Sequence, residues 1–464
     1  MLFSSVTFLW IFFPVVFLLN LIVPKKFSNY LLVAASLVFY AWGEPVMVLL
    51  LIGSIIINWL IGRLMEGHGE HKKVFLVIGI ILNLLALGYY KYADFLISVF
   101  NMCCGRVVIM PPQTGLPIGI SFFTFQAISY IVDIYRGEVE GNNSLINTAL
   151  YISFFPRIMS GPIEQYHNIA TQLDNRTVTL QKASEGFRKF IYGLAKKVLI
   201  ANVLGKCADG LFGMDAQFIS GTMSWVAALV YTLQIYYDFS GYSDMAIGLG
   251  RMFGFTFLEN FDYPYLSKSI GEFWRRWHIS LGSWFREYVY IPLGGNRKGK
   301  VRTDINLMIV FLLTGLWHGA NFTFILWGIY HGILSVIERH GLGKLLNKSK
   351  VLSRIYLLLA VIFGWVLFRA DTVMDALRYI KRMLMPWQYT QYDITPWLYL
   401  NKATIFAAVC AVLGMGLIQS LVPEKIKSRW KNSPFEFIYC TGLLILSIMS
   451  MASNTYNAFI YFQF

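Results

Sequence analysis

The chain has 464 residues, of which 56% are hydrophobic, 17% aromatic and only 14% charged. A soluble domain typically carries about 25% charged residues, so this composition excludes an ordinary soluble protein and indicates an integral membrane protein. The formal net charge of +14 would suggest nucleic acid binding in a soluble protein. In a membrane protein it reflects Lys and Arg in cytoplasmic loops, which also meet anionic membrane lipids, so we expect no nucleic acid partner.

Apolar segments recur along the chain as they do in helical membrane proteins. They cover residues 5–24, 28–42, 46–62, 74–90, 116–134, 145–160, 187–204, 222–250, 304–319, 322–337, 355–369, 403–421 and 436–452. A spanning helix needs roughly 20 apolar residues, and several of these segments are too short or too polar to cross alone. The sequence therefore predicts an all-α polytopic protein with about eleven spanning helices plus shorter embedded ones. No part of the composition marks a soluble domain, so residues 1–464 are predicted to form one membrane domain.

The first loops predict the orientation of the chain. Lys25 and Lys26 follow the first apolar segment, the loop at Glu44 carries no basic residue, and Lys72 and Lys73 follow the third segment. Because basic residues concentrate in cytoplasmic loops, the amino terminus is predicted to lie outside the cytoplasm.

Polar side chains interrupt the long apolar segment 222–250. Tyr237, Asp238 and Ser240 lie in a short stretch that also contains Asp244. Polar groups at membrane depth are costly and usually face a cavity or the interior of the bundle. These side chains could line a substrate pocket, or they could form a hydrogen-bonded packing network.

The segment from about 261 to 303 differs in composition from its surroundings. It is rich in aromatic and basic residues, among them Trp274, Arg275, Arg276 and His278, and its apolar runs are too short to cross a bilayer. Such a segment is predicted to be amphipathic or re-entrant, lying at or dipping below the cytoplasmic face. Its arginines are cytoplasmic positive charge, and they could also form a rim that binds the phosphates of a nucleotide-bearing acyl donor.

The region from about 304 to 340 contains the most informative residues. Trp317, His318 and Asn321 lie between two apolar runs, where polar groups are functional hypotheses by default. A neutral imidazole near physiological pH makes His318 a plausible general base, although a structural histidine hydrogen-bonded between helices would fit the same pattern. His331, in the following apolar stretch, is predicted to be a packed core histidine.

No spacing in the chain indicates a metal or a bound cofactor. No two histidines lie four residues apart beside a carboxylate, as in helical zinc sites, and no phosphate loop of the Walker kind occurs. The five cysteines are scattered and are interpreted as small apolar residues. We therefore expect neither a metal nor a permanently bound cofactor.

Six stretches, taken in their order and spacing, carry a family resemblance. They are residues 116–122, 130–137, 160–163, 237–246, 272–281 and 315–319. Together they resemble the membrane-bound O-acyltransferase (MBOAT) family, in its bacterial alginate O-acetylation branch, over nearly the whole chain. The resemblance implies an MBOAT fold, a helical bundle whose centre thins into a funnel and tunnel.

The resemblance also implies roles for individual residues. It places the catalytic histidine at His318, which would draw the proton from an acceptor hydroxyl. It places His278 at the second functional polar position, where it would hydrogen-bond the developing oxyanion or polarise the carbonyl. Residues of the matching motifs and their neighbours are expected to contact substrates: Tyr237, Asp238, Ser240, Trp274, Arg275, Arg276, Trp317 and Asn321.

The activity implied by the resemblance is transfer of an acetyl group across the bacterial inner membrane. The donor would be cytoplasmic acetyl-CoA, acting as a co-substrate. The acceptor would be a serine of an extracytoplasmic partner of the SGNH-hydrolase type, similar to AlgX or AlgJ, which then acetylates an exopolysaccharide such as alginate.

Three other interpretations remain open at this stage. The chain could transport a polar solute or a lipid-linked sugar, since intramembrane polar residues fit that function too. It could be a scaffold that recruits a secreted acetylating enzyme. It could also transfer D-alanyl or a longer acyl group to a cell-wall polymer.

Overall fold

The computed structural model describes residues 1–139, 144–216, 218–387, 399–453 and 456. Within these ranges the regular structure is helical, apart from one antiparallel bridge between Phe261 and Trp277, so the all-α prediction is confirmed. The chain divides into two compact units, one of Met1–Phe190 with Met245–Leu258 and one of Ile191–Asp244 with Glu259–Phe464. The prediction of one membrane domain over residues 1–464 stays a prediction.

The helices before residue 191 belong to the first unit. They are α1 Phe13–Ile22, α2 Lys25–Gly43, α3 Val48–Gly67, α4 Lys72–Leu87, α5 Ala93–Cys104, α6 Ile120–Arg136, α7 Leu145–Ser153 and α8 Tyr166–Asn175. The next helix, α9, covers Leu180–Ala195 and contributes to both units, as does α11, Gly221–Met252. A π-helical turn, Lys196–Ala201, connects α9 to α10, Asn202–Phe212.

The remaining helices belong to the second unit. They are α12 Ile270–Arg276, α13 Ile279–Phe285, α14 Lys300–His318, α15 Phe322–Ile337, α16 Gly343–Leu346, α17 Lys350–Arg369, α18 Val373–Leu384, α19 Lys402–Val412, α20 Ile418–Leu421, α21 Glu424–Trp430 and α22 Pro434–Ser453.

Five helical stretches of the described chain are long and apolar enough to cross a membrane. They are Val48–Gly67, Gly69–Cys104, Lys350–Arg369, Lys402–Leu421 and Pro434–Ser453, and Phe8–Ile22 forms a shorter apolar helix. The count of about eleven spanning helices therefore stays a prediction. Helix α11 is long enough to cross a membrane, because its 32 residues extend roughly 48 Å.

Helices α14 and α15 form a tightly packed antiparallel hairpin. A Cβ atom placed on Gly315 would lie 2.3 Å from the carbonyl oxygen of Phe324, and one on Gly328 would lie 2.4 Å from that of Phe311. Only glycine permits this approach, since Cβ atoms need more than 3 Å. At the other end of the hairpin, Asp304 near the start of α14 forms an ion pair with Arg339, just after the end of α15, at 3.0 Å.

The segment from 261 to 303 contains no helix long enough to span a membrane, as the sequence predicts. Its first helix, α12, starts where Glu338 accepts hydrogen bonds from the backbone N–H groups of Ile270 and Gly271, at 2.6 and 3.2 Å. The next residues run along the hairpin, with the ring of Trp274 5.7 Å from that of Phe311. The segment therefore packs beside the hairpin and carries His278 toward the end where His318 lies.

Candidate active site

His318 is the last residue of α14, at the turn of the hairpin. Its ring centroid lies 4.9 Å from that of Trp317, 5.2 Å from Trp327 and 5.0 Å from Phe368. The residue is 5% exposed. The glycine contacts that bring α14 against α15 therefore also place the imidazole among aromatic rings, where hydrogen bonds and charges act in a low dielectric.

His278 occupies an unusual backbone conformation between α12 and α13. Its φ of 47° and ψ of 53° are left-handed, a region that residues other than glycine seldom adopt and that concentrates at functional sites. The antiparallel bridge holds this conformation, because Asp262 N–H donates to Arg276 at 3.0 Å and Ile279 N–H donates to Asn260 at 3.0 Å, both through backbone carbonyls.

The same bridge places the side chain of Asn260 against His278. The backbone N–H and the hydroxyl of Ser280 donate to Oδ1 of Asn260 at 3.2 and 3.0 Å, and Nδ2 of Asn260 donates to Oγ of Ser243 at 3.0 Å. A backbone N–H can only donate, so the atom of Asn260 that faces Ser280 is its oxygen. Nδ1 of His278 lies 3.1 Å from that oxygen and must therefore carry the ring proton.

This arrangement determines whether Nε2 of His278 accepts or donates a hydrogen bond. His278 is 2% exposed and its ring lies 4.6 Å from that of Phe239, surroundings that favour the neutral imidazole. A neutral ring protonated at Nδ1 has a lone pair at Nε2, so Nε2 accepts hydrogen bonds. Donation to an oxyanion, which the family resemblance implies for His278, would require the doubly protonated ring.

The ring of Trp317 lies near both histidines. Its ring centroid lies 5.8 Å from His278 and 4.9 Å from His318, so the structure brings both predicted catalytic histidines to one indole. The indole N–H can only donate, which supplies a neutral donor beside two imidazoles. The contacts of Asn260, Phe239 and Phe368 with the histidines could not be predicted from the sequence, because each of these residues lies far along the chain from the histidine it contacts.

The motif around Asp238 forms two ion pairs, of which one is buried and one is partly exposed. Asp238 lies 2.5 Å from Nζ of Lys197, and their side chains are 2% and 3% exposed. Asp244 lies 2.6 Å from Nζ of Lys196, with side chains 17% and 30% exposed. Both lysines lie in the π-helical turn after α9, a distortion frequent at functional sites. Gly241 permits this packing, because a Cβ there would meet the carbonyl oxygen of Gly193 at 2.8 Å.

The other candidates near Asp238 are also buried. The hydroxyl of Tyr237 donates to the carbonyl of Ala411 at 2.7 Å, and Ser240 is 1% exposed. These contacts agree with the packing-network alternative, in which polar groups hold helices together. A substrate-binding role for Tyr237, Asp238 and Ser240 stays a prediction.

Arg275 and Arg276, which belong to the predicted phosphate rim, have contacts of their own. Arg276 binds Glu272 at 3.1 Å and Asp262 at 3.3 Å, while Arg275 is exposed and lies near Glu338. Arg275 and Arg276 are therefore held at the surface of the segment, and their contact with a donor stays a prediction.

The two remaining candidates have structural contacts of their own. Asn321 caps α15 by accepting from Thr323 N–H at 3.1 Å, and it donates to the carbonyl of Asp371 at 3.0 Å. Trp274 packs against His331 at 5.1 Å. His331 is 1% exposed, which confirms the prediction that it is a packed core histidine.

One cluster in the described chain has the residue types of a metal site. In the first unit, Nδ1 of His167 lies 3.0 Å from Asp133 and 3.2 Å from Glu138. The same Asp133 oxygen accepts from the backbone N–H of His167 at 3.0 Å. Because hydrogen bonds to Asp133 at the start of α8 account for this geometry, we assign no metal to it.

Comparison with known proteins places these observations in one family. Residues 136–374 match the sequence profile of the membrane-bound O-acyltransferase family, MBOAT. The chain is 39% identical over 488 aligned residues to a probable alginate O-acetylase AlgI of Pseudomonas putida, covering 100% of both chains. It is 36% identical to a peptidoglycan O-acetyltransferase of Helicobacter pylori, over 83% of this chain and 80% of that one. It is 28% identical to a teichoic acid D-alanyltransferase of Bacillus subtilis, over 61% and 79%.

Proposed function

Since the chain belongs to the membrane-bound O-acyltransferase family, we propose that it transfers an acetyl group from acetyl-CoA to a hydroxyl group. The observation that carries the chemistry is the contact of two buried imidazoles, His278 and His318, with the single indole of Trp317. O-Acetylases among the relatives match the chain at higher identity and coverage than the D-alanyltransferase does, which favours acetyl over D-alanyl.

His318 serves as the general base in the proposed reaction. Its ring takes the proton of the acceptor hydroxyl while the hydroxyl oxygen attacks the thioester carbonyl. The new C–O bond forms, the C–S bond breaks, and the departing thiolate recovers the proton from His318. Every bond and proton is thereby balanced between the two substrates and one imidazole, with no change of oxidation state.

The oxyanion that forms on the carbonyl needs a donor, and Trp317 provides it. Its indole N–H is neutral and lies in a buried cluster, where one well-placed donor is worth roughly 3–4 kcal/mol to the transition state. This assignment departs from the role that the family resemblance implies for His278, because Asn260 holds Nε2 of His278 as an acceptor.

His278 instead positions the donor. The pantetheine arm of acetyl-CoA carries an amide N–H two carbons from its sulfur, and this is the donating group nearest the thioester. Nε2 of His278 accepts from that N–H and orients the thioester toward His318. Such positioning contributes to the rate by holding reacting atoms in an attack geometry.

Access to His318 requires motion of the surrounding rings. The imidazole is enclosed by Trp317, Trp327 and Phe368 and is 5% exposed. We place the donor on the cytoplasmic side and the hydroxyl on the opposite side, with the amino terminus outside the cytoplasm and the chain in the bacterial inner membrane. Exclusion of water by the rings protects the thioester from hydrolysis.

The natural acceptor in this proposal is a serine of an extracytoplasmic SGNH-type partner that passes the acetyl group to a polysaccharide. Arg275 and Arg276 bind the phosphates of the donor at the cytoplasmic face.

Release of free CoA thiol by the purified chain tests the acetyltransferase proposal. We expect release from acetyl-CoA that depends on an added hydroxyl acceptor and that disappears in His318→Ala at unchanged protein amount. Flux of a solute without thioester consumption would support a transporter instead. Transfer from a D-alanyl donor but not from acetyl-CoA would support a D-alanyltransferase.

A further inference from the structure

A polar cavity of about 730 Å³ opens in the first unit, where α1 turns into α2. Its volume lies within the range of small-molecule sites, roughly 300–1,000 Å³. The walls combine the turn after α1 with the end of α8, and their charged residues are Lys25, Lys26, Asp174 and Arg176. Three cations face one carboxylate, so the cavity carries a net positive charge.

Arg176 is the buried centre of the cavity wall. The residue is 9% exposed and its guanidinium lies 4.6 Å from the ring centroid of Phe255. Nη1 donates to Asn29 at 2.5 Å and to the carbonyl of Leu173 at 3.1 Å, while Nη2 donates to Ser28 at 2.7 Å. These bonds fix the plane of the guanidinium, and a fixed guanidinium is suited to phosphate oxygens.

The guanidinium of Arg176 stays protonated although it is buried. Desolvation lowers the pKa of Arg176 to about 10, and the nearby Asp174 opposes this decrease. Arg176 therefore remains a cation at neutral pH. A buried cation gains from an anionic ligand more than an exposed one does, because its charge is less screened by water.

Exposed apolar side chains lie next along the chain to residues that line the cavity. Leu21 is 52% exposed and Ile22 78%, at the end of the apolar helix Phe8–Ile22. Phe27 is 48% and Tyr30 56% exposed on the first turns of α2. The segments that supply the basic residues Lys25 and Lys26 to the cavity therefore also present exposed apolar side chains.

We propose that this cavity binds the phosphate headgroup of an anionic phospholipid, with the acyl chains lying along Leu21, Ile22, Phe27 and Tyr30. The position favours a lipid over a soluble phosphate, because the cavity adjoins the end of an apolar helix, and basic pockets between membrane helices suit anionic headgroups. The bound lipid stabilises the turn between α1 and α2 and is not consumed by acyl transfer.

A titration of the full chain with phosphatidylglycerol, followed by native mass spectrometry in detergent, tests the proposal. Lys25→Gln with Lys26→Gln should weaken binding about thirtyfold relative to the unaltered chain, since each basic residue contributes about 1 kcal/mol. The matched control is Lys72→Gln with Lys73→Gln, which removes the same charge from the start of α4 but lines no part of the cavity. It should leave binding within about twofold.

Arg176→Gln provides a second variant, with expected loss of phosphatidylglycerol binding and no change for phosphatidylcholine. The exposed lysine pair keeps the test valid if this variant fails to fold. Equal weakening by both lysine pairs would overturn the proposal, since it would indicate diffuse surface charge. Displacement of the lipid by free coenzyme A but not by inorganic phosphate would also overturn it, since it would assign the cavity to the acyl donor.

Discussion

Oδ1 of Asn260 lies 3.1 Å from Nδ1 of His278 and also accepts the backbone N–H of Ser280. The second bond fixes the orientation of the amide, and the amide in turn fixes the ring proton of His278 on Nδ1. Asn260 is thus a positioning residue that determines whether His278 accepts or donates. A hydrogen-bond partner on one nitrogen selects the function of the other in many histidine sites.

The acceptor role of His278 predicts a preference among small thioester donors. S-Acetyl-N-acetylcysteamine carries the amide N–H that Nε2 should accept, whereas a matched S-acetyl alkanethiol lacks it. We expect the unaltered chain to prefer the amide-bearing donor by about tenfold in kcat/KM, the magnitude of one hydrogen bond to a buried group. His278→Leu should lower activity on the amide-bearing donor and lose the preference.

Variants of Asn260 separate positioning from general packing. Asn260→Leu should also lose the donor preference, while Asn260→Asp retains an acceptor for Nδ1 and should keep it. The carboxylate beside Nδ1 would stabilise the protonated ring, so the acid limb of the rate should move to higher pH in Asn260→Asp. Asn306→Leu removes another buried asparagine, whose amide donates to Gly295, and should leave the preference intact. An unchanged preference in His278→Leu would contradict the assigned role.

Removing one partner of the Lys197–Asp238 pair should strongly destabilise the chain. Asp238→Asn leaves a nearly fully buried lysine without its carboxylate, and loss of one member of a buried pair costs about 3–5 kcal/mol. Thermal unfolding in detergent, followed by tryptophan fluorescence, measures the effect. The double variant Asp238→Leu with Lys197→Met should recover most of the stability, because neither charge then remains buried.

The neighbouring pair provides the control for this prediction. Asp244→Asn breaks a contact of the same chemistry with Lys196, whose side chain is 30% exposed, and should cost less than Asp238→Asn does, because water can partly solvate the lysine that remains. If the double variant at positions 238 and 197 is stable but inactive, Asp238 or Lys197 takes part in the reaction, and the packing-network interpretation is wrong.

The carboxyl of Glu338, which accepts from the start of α12, predicts a pH effect on stability. Burial raises the pKa of Glu338 above its ordinary value of 4.5, although its backbone hydrogen bonds oppose the shift. The folded chain then binds this proton more tightly than the unfolded chain, so the contribution of Glu338 to stability falls as pH rises above 4.5. Unfolding temperatures measured at pH values from 4.5 upward should fall less steeply with pH in Glu338→Gln than in the unaltered chain. Identical slopes would contradict the prediction.

Much of the fold follows from the sequence because its signals are local. Apolar periodicity and length predict an all-α protein, and the short apolar runs between 261 and 303 correctly exclude a spanning helix there. The number of spanning helices cannot be read from apolar composition alone, because helices such as α11 and α14 contain polar residues that are tolerated at membrane depth when protein surrounds them.

The site was only partly predictable, for a different reason. His318 and Trp317 are neighbours in the chain, so one motif identifies both. Asn260 is 18 residues from His278, and their contact depends on the bridge between Phe261 and Trp277, which two isolated backbone hydrogen bonds form. Lys197 follows another lysine inside an apolar segment, and this charge at membrane depth was the available signal for a buried partner.

The central claim is that His318 moves an acetyl group from a thioester to a hydroxyl on the other side of the membrane. Proteoliposomes with labelled acetyl-CoA outside and an impermeant hydroxyl acceptor in the lumen test it directly, using chains oriented with their cytoplasmic face outward. The account predicts label on the lumenal acceptor with the unaltered chain and none with His318→Ala reconstituted at equal amount. Label on the acceptor in the His318→Ala vesicles would contradict it.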